Sequence, residues 1–354
     1  MANELLLIGS VPLDTAEAVF RTLGVPLGPY LAAMPDGELG ERRWWVRRFA
    51  HQIFDGHPQI ETLQRPPPEE MRMDRLVRRG RGTPWKFRLK PGVKDVVFRE
   101  PGTGMGFTRD AVESYGVFRR LKSEGVLPRA LRFQVSIPLP NSIASLSSFG
   151  LEDLAPMRAG LERALRAEVE EIGRRIPPED LAIQWDGSWE VTDVYGAVPG
   201  MPPDGAVARN AAQVARLAPG VPERALLGYH LCFGTFGGWP RFAPPDLGRA
   251  VELANAMIEA SGRRVDWINI PALDRLDRAF YAPLAALRPQ GARVYLGLIH
   301  SMPTFKERLA VARAVLPEFG VAGYCGFGRI PASELPVILK DHLDAAAALK
   351  KPAP

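Results

Sequence analysis

The sequence predicts an α/β fold, a single (β/α)₈ TIM barrel in which eight parallel strands are each followed by a helix. Eight apolar runs of strand length alternate with amphipathic helical patterns along the chain. Most of these runs are continuously apolar, as expected for parallel strands that are buried on both faces. The 354 residues, of which 46% are apolar, suit one large domain of this kind.

The apolar runs give the strand positions, and the patterns between them give the helices. We predict strands at residues 4–10, 30–38, 132–139, 181–187, 226–234, 265–272, 293–300 and 321–328. We predict helices at residues 109–124, 154–175, 206–217, 247–260, 277–287, 304–316 and 333–349. Because the active site of such a barrel lies at the carboxyl ends of its strands, residues at these ends are the candidates for function.

Residues 50–128 interrupt the alternation of strands and helices. This stretch is rich in Pro, Arg and Gly and has one convincing helical pattern. Since it follows the second strand, we expect it on the catalytic face as a lid or substrate wall. A separate subdomain is the alternative, which its low apolar content disfavours. We therefore predict one barrel domain over residues 1–349, with 50–128 as an insertion and 350–354 as a frayed tail.

The basic residues are spread over helices and loops, although the formal net charge is +5. The densest basic run, residues 72–81, lacks interleaved aromatics and any nucleic-acid-binding motif. We interpret it as a solvated surface that could also steer an anionic substrate or an acidic partner, and we expect no nucleic-acid partner. Residues 1–10 do not resemble a targeting segment and no apolar stretch is long enough to span a membrane, which predicts a cytoplasmic protein without a membrane partner.

The chain has two cysteines, and a histidine accompanies the first. His230 and Cys232 are two positions apart on a predicted strand, so their side chains share one face. Cys325 ends another predicted strand, and a barrel gathers strand ends at one face. Three such ligands suit zinc. The alternatives are ordinary buried residues, or a disulfide, which a reducing cytosol disfavours.

Further polar residues lie where predicted strands end. Glu38 and Asp186 are candidate catalytic residues. The alternative for Glu38 is that it merely caps the helix that follows. His300 is a candidate too, or part of a loop. Arg329 is predicted to bind an anionic substrate group, with a structural ion pair as the alternative. Aromatic residues near the strand ends line a pocket or pack between barrel and helices: Trp44, Trp45, Trp185, Trp189, Phe233, Phe236 and Trp239.

Several short motifs occur in order on successive predicted strands. They are 8–12 (IGSVP), 36–42 (DGELGER), 183–186 (IQWD), 230–232 (HLC), 299–301 (IHS) and 325–326 (CG). Together they resemble the catalytic barrel of cobalamin-independent methionine synthase. More broadly, they resemble the superfamily that it shares with uroporphyrinogen decarboxylase and the corrinoid-linked thiol methyltransferases. The resemblance covers most of the chain.

The resemblance implies a zinc-dependent methyl or alkyl transferase, in which zinc holds a small thiol acceptor as a thiolate beside an alkyl donor. It implies that His230, Cys232 and Cys325 bind the zinc and that Ser10 holds an acceptor carboxylate. Glu38 and Asp186 would pair with the acceptor's ammonium group, and His300 would give a proton to the leaving group. Barrels of this class often associate, which leaves a homodimer open.

Three departures from the synthase bear on the substrates. Pro271 occupies the place of its glutamate ligand, for which Asp274 is a candidate replacement, and residues 186–188 read Asp-Gly-Ser in place of Asp-Glu-Pro. The extra barrel that helps to bind folate has no counterpart. These departures argue against homocysteine and folate, and favour a small-molecule donor such as a sulfonium or an epoxide, or a methylated corrinoid protein. The alternatives are a metal-free uroporphyrinogen decarboxylase-like lyase and a non-catalytic zinc- or thiol-binding sensor.

Overall fold

The computed structural model describes residues 4–70, 83–100, 104–146, 149–235 and 238–350. Its strands are β1 Leu5–Leu6, β2 Ala33–Pro35, β3 Ile60–Gln64, β4 Lys86–Leu89, β5 Arg132–Pro138, β6 Leu181–Gly187, β7 Leu226–Leu231, β8 Trp267–Pro271, β9 Arg293–Ile299 and β10 Gly320–Gly323. Eight of them form one parallel sheet in the order β1-β10-β9-β8-β7-β6-β5-β2. A parallel bridge between Leu5 and Leu31 brings the two edges together, so the sheet is a nearly closed barrel and the predicted fold class is confirmed.

The helices surround this barrel. The longer ones are α1 Ala16–Leu27, α2 Phe107–Ser123, α3 Leu154–Arg175, α4 Ala206–Leu217, α5 Gly248–Ala260, α6 Phe305–Arg313 and α7 Leu335–Leu349. Shorter helices are Trp45–Arg48, Pro140–Leu146, Trp189–Val194 and Arg278–Tyr281. The predicted helix at 277–287 is α-helical only over Arg278–Tyr281 and continues as a 3₁₀ turn, since Pro283 lacks the N–H that an α-helix needs. Among the longer helices α1 was not predicted, and neither were the short helices Pro140–Leu146 and Trp189–Val194.

The first and last barrel strands are shorter than the sequence predicts. The predicted strand 4–10 is reduced to Leu5–Leu6 because the carbonyls that follow bind side chains in the barrel interior. Gln134 Nε2 donates to the carbonyls of Leu7 and Ile8 at 3.0 and 3.1 Å. The predicted strand 321–328 ends at Gly323, and the chain after it turns towards the first strand. These irregular ends form the carboxyl face of the barrel.

The barrel interior is filled at the opposite end. A small apolar cluster occupies it: Leu6, Ile8, Ala33, Ala182, Trp267, Tyr295 and Ala322. The indole of Trp267 lies over Gly228, where a Cβ would stand 1.9 Å from Trp267 Cε2. Its Nε1 donates to Gln184 Oε1 at 3.2 Å. The packed layer leaves the carboxyl ends of the strands as the place for a site.

The segment after β2 contains a small antiparallel sheet of its own. β3 pairs with β4, and the ring of Phe87 lies 5.8 Å from Phe54 and 5.5 Å from Phe149. This hairpin was not predicted, because its strands are short and half-exposed. Helix α2 packs against α1 and α3 as a barrel helix. The lid role of 50–128 stays a prediction.

Two parts of the chain singled out in the sequence fall outside the described residues. These are the basic run 72–81 and the tail beyond residue 350. Among the described residues, no helix combines the length and the apolar character needed to cross a membrane.

Candidate metal centre

The histidine and two cysteines predicted to bind metal converge at the carboxyl ends of the barrel strands. His230 lies in β7, Cys232 directly follows that strand, and Cys325 comes shortly after β10. Their ligand atoms, one from each side chain, all lie within 4.8 Å of one another. His230 and Cys232 are buried, and Cys325 is half-buried. This group has donor types that suit zinc.

A hydrogen bond from the neighbouring strand orients the His230 ring. Asn269 in β8 donates through Nδ2 to the Tyr295 carbonyl at 3.3 Å, so its Oδ1 faces His230 Nδ1 at 2.6 Å. His230 Nδ1 is therefore the protonated nitrogen, and Nε2 carries the lone pair. Nε2 is buried and makes no hydrogen bond of ordinary geometry among the described residues, while the neighbouring Cys325 thiolate raises the pKa of His230 against the effect of burial. A buried lone pair, held in place through the other ring nitrogen, is the arrangement of a metal-binding histidine.

The surroundings of the two thiols favour ionisation of Cys325. The pKa of the Cys325 thiol is held well below its usual range because the Cys232 thiol keeps its proton and hydrogen-bonds to it. The neighbouring His230 ring acts in the same direction, and so does the Arg329 guanidinium, whose Nη2 is 3.6 Å from Cys325 Sγ. That hydrogen bond, together with burial, raises the pKa of Cys232. The Cys325 thiolate is the form in which a cysteine binds metal.

Two half-buried carboxylates lie near the three donors. Asp186 in β6 is in register with His230, and its Oδ1 accepts a hydrogen bond from Gln184 Nε2 at 2.9 Å. Burial raises the pKa of Asp186 to about 7. Glu38 has a positive φ of 50°. Its carboxylate packs directly against Gly9, where a Cβ would stand 2.0 Å from Glu38 Oε1. Burial, and then the charge of Asp186, raise the pKa of Glu38 well above its usual range, so the two carboxylates interact.

Ser10 lies against the segment that carries Cys325. Its Oγ accepts a hydrogen bond from Gly328 N at 3.3 Å, and its carbonyl accepts one from Phe327 N at 3.0 Å. A Cβ at Gly326 would stand 2.4 Å from Ser10 Oγ, so glycine allows this close approach. Ser10 is thus next to the candidate centre but is only 5% exposed. Its predicted contact with a substrate carboxylate stays a prediction.

His300 follows β9, and its ring is already engaged. Its Nε2 lies 2.8 Å from the Ala272 carbonyl, and Arg308 Nη1 is 3.3 Å from the same nitrogen. Burial, and then the charge of Arg308, lower the pKa of His300 to about 4. The ring is therefore neutral at pH 7. Its centroid is 5.8 Å from that of Tyr324, the residue before Cys325, so His300 lies beside the candidate centre.

An aromatic cluster adjoins both thiols. The ring of Trp239 stacks on Tyr324 with centroids 4.5 Å apart and on Phe233 with centroids 5.9 Å apart. Tyr324 precedes Cys325, and Phe233 follows Cys232. These rings form an apolar wall beside the donors, in which a thiolate is poorly hydrated.

The other aromatic residues singled out in the sequence have different surroundings. Trp185 and Trp189 are buried, while the Trp44 ring lies under the Arg329 guanidinium at 5.9 Å. Phe236 lies outside the described residues. Of the aromatic residues predicted to line a pocket, some are therefore buried in the core and others lie at the edge of the candidate centre.

The structure does not bring Asp274 to the donors as a replacement ligand. Pro271 ends β8 and offers no ligand atom. The Asp274 carboxylate accepts a hydrogen bond from Thr304 Oγ1 at 2.5 Å and lies 3.3 Å from Arg308 Nε. Its side chain is 48% exposed, and it is not part of the donor group. Among the described residues the group consists of His230, Cys232 and Cys325.

Sequence reasoning missed two residues that shape this centre. Asn269 orients His230. The only feature of the sequence that pointed to Asn269 was its polar side chain inside the apolar run 265–272. Thr235 accepts a hydrogen bond from Arg329 and lies in a glycine-rich loop, where nothing marked it. Both act through three-dimensional neighbours that are far away in sequence, so spacing rules could not find them.

A cleft of about 630 Å³ lies elsewhere, beside α1 and α2. Its lining is rich in charged groups that pair with each other. Arg42 lies 3.4 Å and Arg48 lies 3.3 Å from the Asp110 carboxylate. None of the three metal-binding candidates lines this cleft, so the donor group and the cleft are separate features.

Comparison with known proteins identifies the fold. No protein-family model and no curated protein matches the sequence. A B12-independent methionine synthase from Shewanella sp. W3-18-1, in complex with selenomethionine, is similar with a TM-score of 0.58 at 12% identity, over 99% of this chain and 97% of that one. A putative vitamin-B12-independent methionine synthase from Listeria monocytogenes gives 0.54 at 14% identity, over 95% and 87%.

A methyltransferase from Methanosarcina mazei gives a TM-score of 0.47 at 10% identity, over 98% of this chain and 95% of that one. Identities this low establish a common fold and nothing finer. The chain has the same barrel fold as the two methionine synthases, and the resemblance found in the sequence is confirmed at that level.

Proposed function

We propose that the chain is an enzyme, a zinc-dependent transferase that moves a methyl or other alkyl group from a donor to a small thiol. The observation that carries the proposal is the convergence of His230, Cys232 and Cys325, with the unpartnered His230 Nε2 among them. The methionine synthase fold of the two neighbours supports it. We further propose that the protein works in the reducing cytosol, where both cysteines remain thiols.

The donor set fits zinc. One imidazole nitrogen and two sulfurs are ligands that zinc prefers, and three protein ligands are the usual number in catalytic zinc sites, which keep one position for substrate. Cys325 favours the thiolate form, and the hydrogen bond from His230 Nδ1 to Asn269 leaves Nε2 free to bind. Zinc, when bound, would lower the pKa of the acceptor thiol and hold it as a thiolate at neutral pH.

The residues around the donors would bind and orient the acceptor. Asn269 fixes the His230 ring, and the aromatic wall of Trp239 and Tyr324 keeps water away from the thiols. Glu38 and Asp186 are the proposed partners of an ammonium group or of another hydrogen-bond donor on the acceptor. Their burial makes such a bond stronger than it would be in water.

The state of His300 bears on the donor. Its ring is neutral and its Nε2 hydrogen is donated to a backbone carbonyl, so the ring is too weak an acid to protonate a leaving group. A sulfonium or a methylated corrinoid needs none. The acceptor sulfur forms a bond to the alkyl carbon, and the donor's bond to that carbon breaks with its electron pair staying on the leaving group. We therefore favour these donors over an epoxide, whose alkoxide requires a proton.

The two alternative functions account for fewer of these features. A metal-free lyase leaves the unpartnered nitrogen of His230 and the two converging thiols without a role. A zinc- or thiol-binding sensor shares the same centre and differs only in the absence of turnover. Turnover therefore separates the sensor from the transferase.

The test uses protein loaded with cobalt in place of zinc. A thiol that binds the metal through sulfur should add a charge-transfer absorption band, and zinc-loaded protein should alkylate that thiol when a methyl sulfonium or a methylated corrinoid is supplied. A band without any alkylation across these donors would favour the sensor. The absence of any band with a range of small thiols would contradict the proposal.

A further inference from the structure

We propose that the acceptor thiol carries an anionic group, a carboxylate or similar oxyanion, and that Arg329 binds it. The inference rests on the proposed function and adds the class of acceptor. Arg329 follows the segment that carries Cys325, and its Nη2 lies 3.6 Å from Cys325 Sγ. The guanidinium is therefore at the edge of the donor group, within reach of the tail of a short thiol that binds there.

The positive charge of Arg329 has no carboxylate partner among the described residues. Other arginines at the carboxyl face do have one: Arg42 pairs with Asp36 at 2.7 Å, and Arg308 lies 3.3 Å from Asp274. Its nearest negative charge is the Cys325 thiolate, which a bound metal ion would take as a ligand and neutralise. A half-buried guanidinium is then costly, because burial removes part of its hydration. An anionic ligand at this position would supply the missing charge.

The hydrogen-bonding groups of Arg329 are also incompletely used. Its Nη2 donates to Thr235 Oγ1, and the Trp44 ring lies 5.9 Å below the guanidinium carbon. These contacts orient the side chain. Nη1 and Nε have no acceptor among the residues that the structure describes. A planar guanidinium with two free donors matches a carboxylate, which it binds through two parallel hydrogen bonds.

Ser10 is less suited to this role. Its Oγ already accepts a hydrogen bond from Gly328 N, and the glycines after Cys325 pack directly against it. A single hydroxyl also offers one hydrogen bond and no charge, whereas a guanidinium offers both several donors and a charge. The geometry therefore favours Arg329 over Ser10 as the anchor for an anionic tail.

The experiment compares three thiols that share a two-methylene spacer and differ in the charge of the end group. They are 3-mercaptopropionate, 2-mercaptoethanol and cysteamine, each titrated calorimetrically into zinc-loaded protein. We expect the wild type to bind 3-mercaptopropionate roughly tenfold or more tightly than 2-mercaptoethanol, as a charge-assisted bidentate pair should. Arg329→Gln should abolish that preference, because both thiols would then bind through sulfur alone. Arg329→Lys keeps the positive charge but loses the two parallel hydrogen-bond donors, so it should retain part of the preference for 3-mercaptopropionate.

Arg275→Gln is the matched control. It removes the same charge from an exposed arginine that pairs with Asp277 after β8, and it should leave all three affinities unchanged. Equal binding of the three thiols by the wild type, or a preference that survives Arg329→Gln, would overturn the role of Arg329 and leave the proposed function standing. Zinc-loaded protein that binds none of the thiols would overturn both.

Discussion

Replacing Asn269 by alanine tests how the structure prepares His230 for a metal. Asn269 Oδ1 accepts the hydrogen bond from His230 Nδ1 at 2.6 Å, inside a fully buried environment. Alanine removes this acceptor and leaves the Nδ1 hydrogen without a partner. The ring then loses both its orientation and the hydrogen bond that makes its other nitrogen a better ligand. We expect weaker zinc binding and a less stable fold.

The two effects are similar in size but can be measured separately. Loss of the group that orients a metal-binding histidine typically lowers metal affinity about 10- to 100-fold, or about 1.4 to 2.7 kcal/mol. A buried donor without an acceptor costs about 1–3 kcal/mol of unfolding free energy. The first is read from competition with a chromophoric chelator, and the second from urea unfolding of metal-free protein.

Asn255→Ala is the matched control. Asn255 is also a buried asparagine, but it lies in α5 and bonds to the Ala286 carbonyl and the Arg288 N–H. Its loss should reduce stability by a similar amount and leave zinc affinity unchanged. If Asn269→Ala bound zinc as tightly as the wild type, or if both variants weakened zinc binding equally, the assigned role of Asn269 would be wrong.

Two further predictions concern the fold. Burial raises the pKa of Glu190 from 4.5 to about 7, so the folded state holds this proton more tightly than the unfolded chain does. The resulting gain in unfolding free energy is complete below pH 4.5. It is lost at about 1.4 kcal/mol per pH unit as the pH rises to about 7. Glu190→Gln should therefore gain unfolding free energy relative to the wild type between pH 5 and 8, and a constant difference would contradict this. Gly228→Ala, with its Cβ 1.9 Å from the Trp267 indole, should cost about 1–3 kcal/mol in urea unfolding, whereas Gly116→Ala, which faces open space in α2, should not destabilise the protein.

The barrel could be predicted from the sequence because its strands are long apolar runs. Strands β5 and β9 begin at the predicted residue, and the predicted bounds of β6 are those observed. Helix α1 was missed because Pro26 and Gly24 weaken its pattern, although Thr15 caps it by accepting a hydrogen bond from Ala18 N at 3.1 Å. Packing in the finished fold overrides such local signals.

The candidate centre was only partly predictable. His230 and Cys232 share a strand face, so their convergence follows from periodicity, and Cys325 follows from the barrel's gathered strand ends. The acceptor for His230 and the position of Arg329 against Cys325 depend on the register of neighbouring strands and on loop paths. A single sequence does not contain this information in any local pattern.

Zinc analysis of protein purified without chelators tests the central claim most directly. We predict one zinc per chain in the wild type and its loss in Cys232→Ser and His230→Gln, with far-UV circular dichroism unchanged. His57→Gln, which alters a histidine in the segment after β2, should retain the metal. A folded, metal-free wild type, or equal zinc content in all four proteins, would contradict the account.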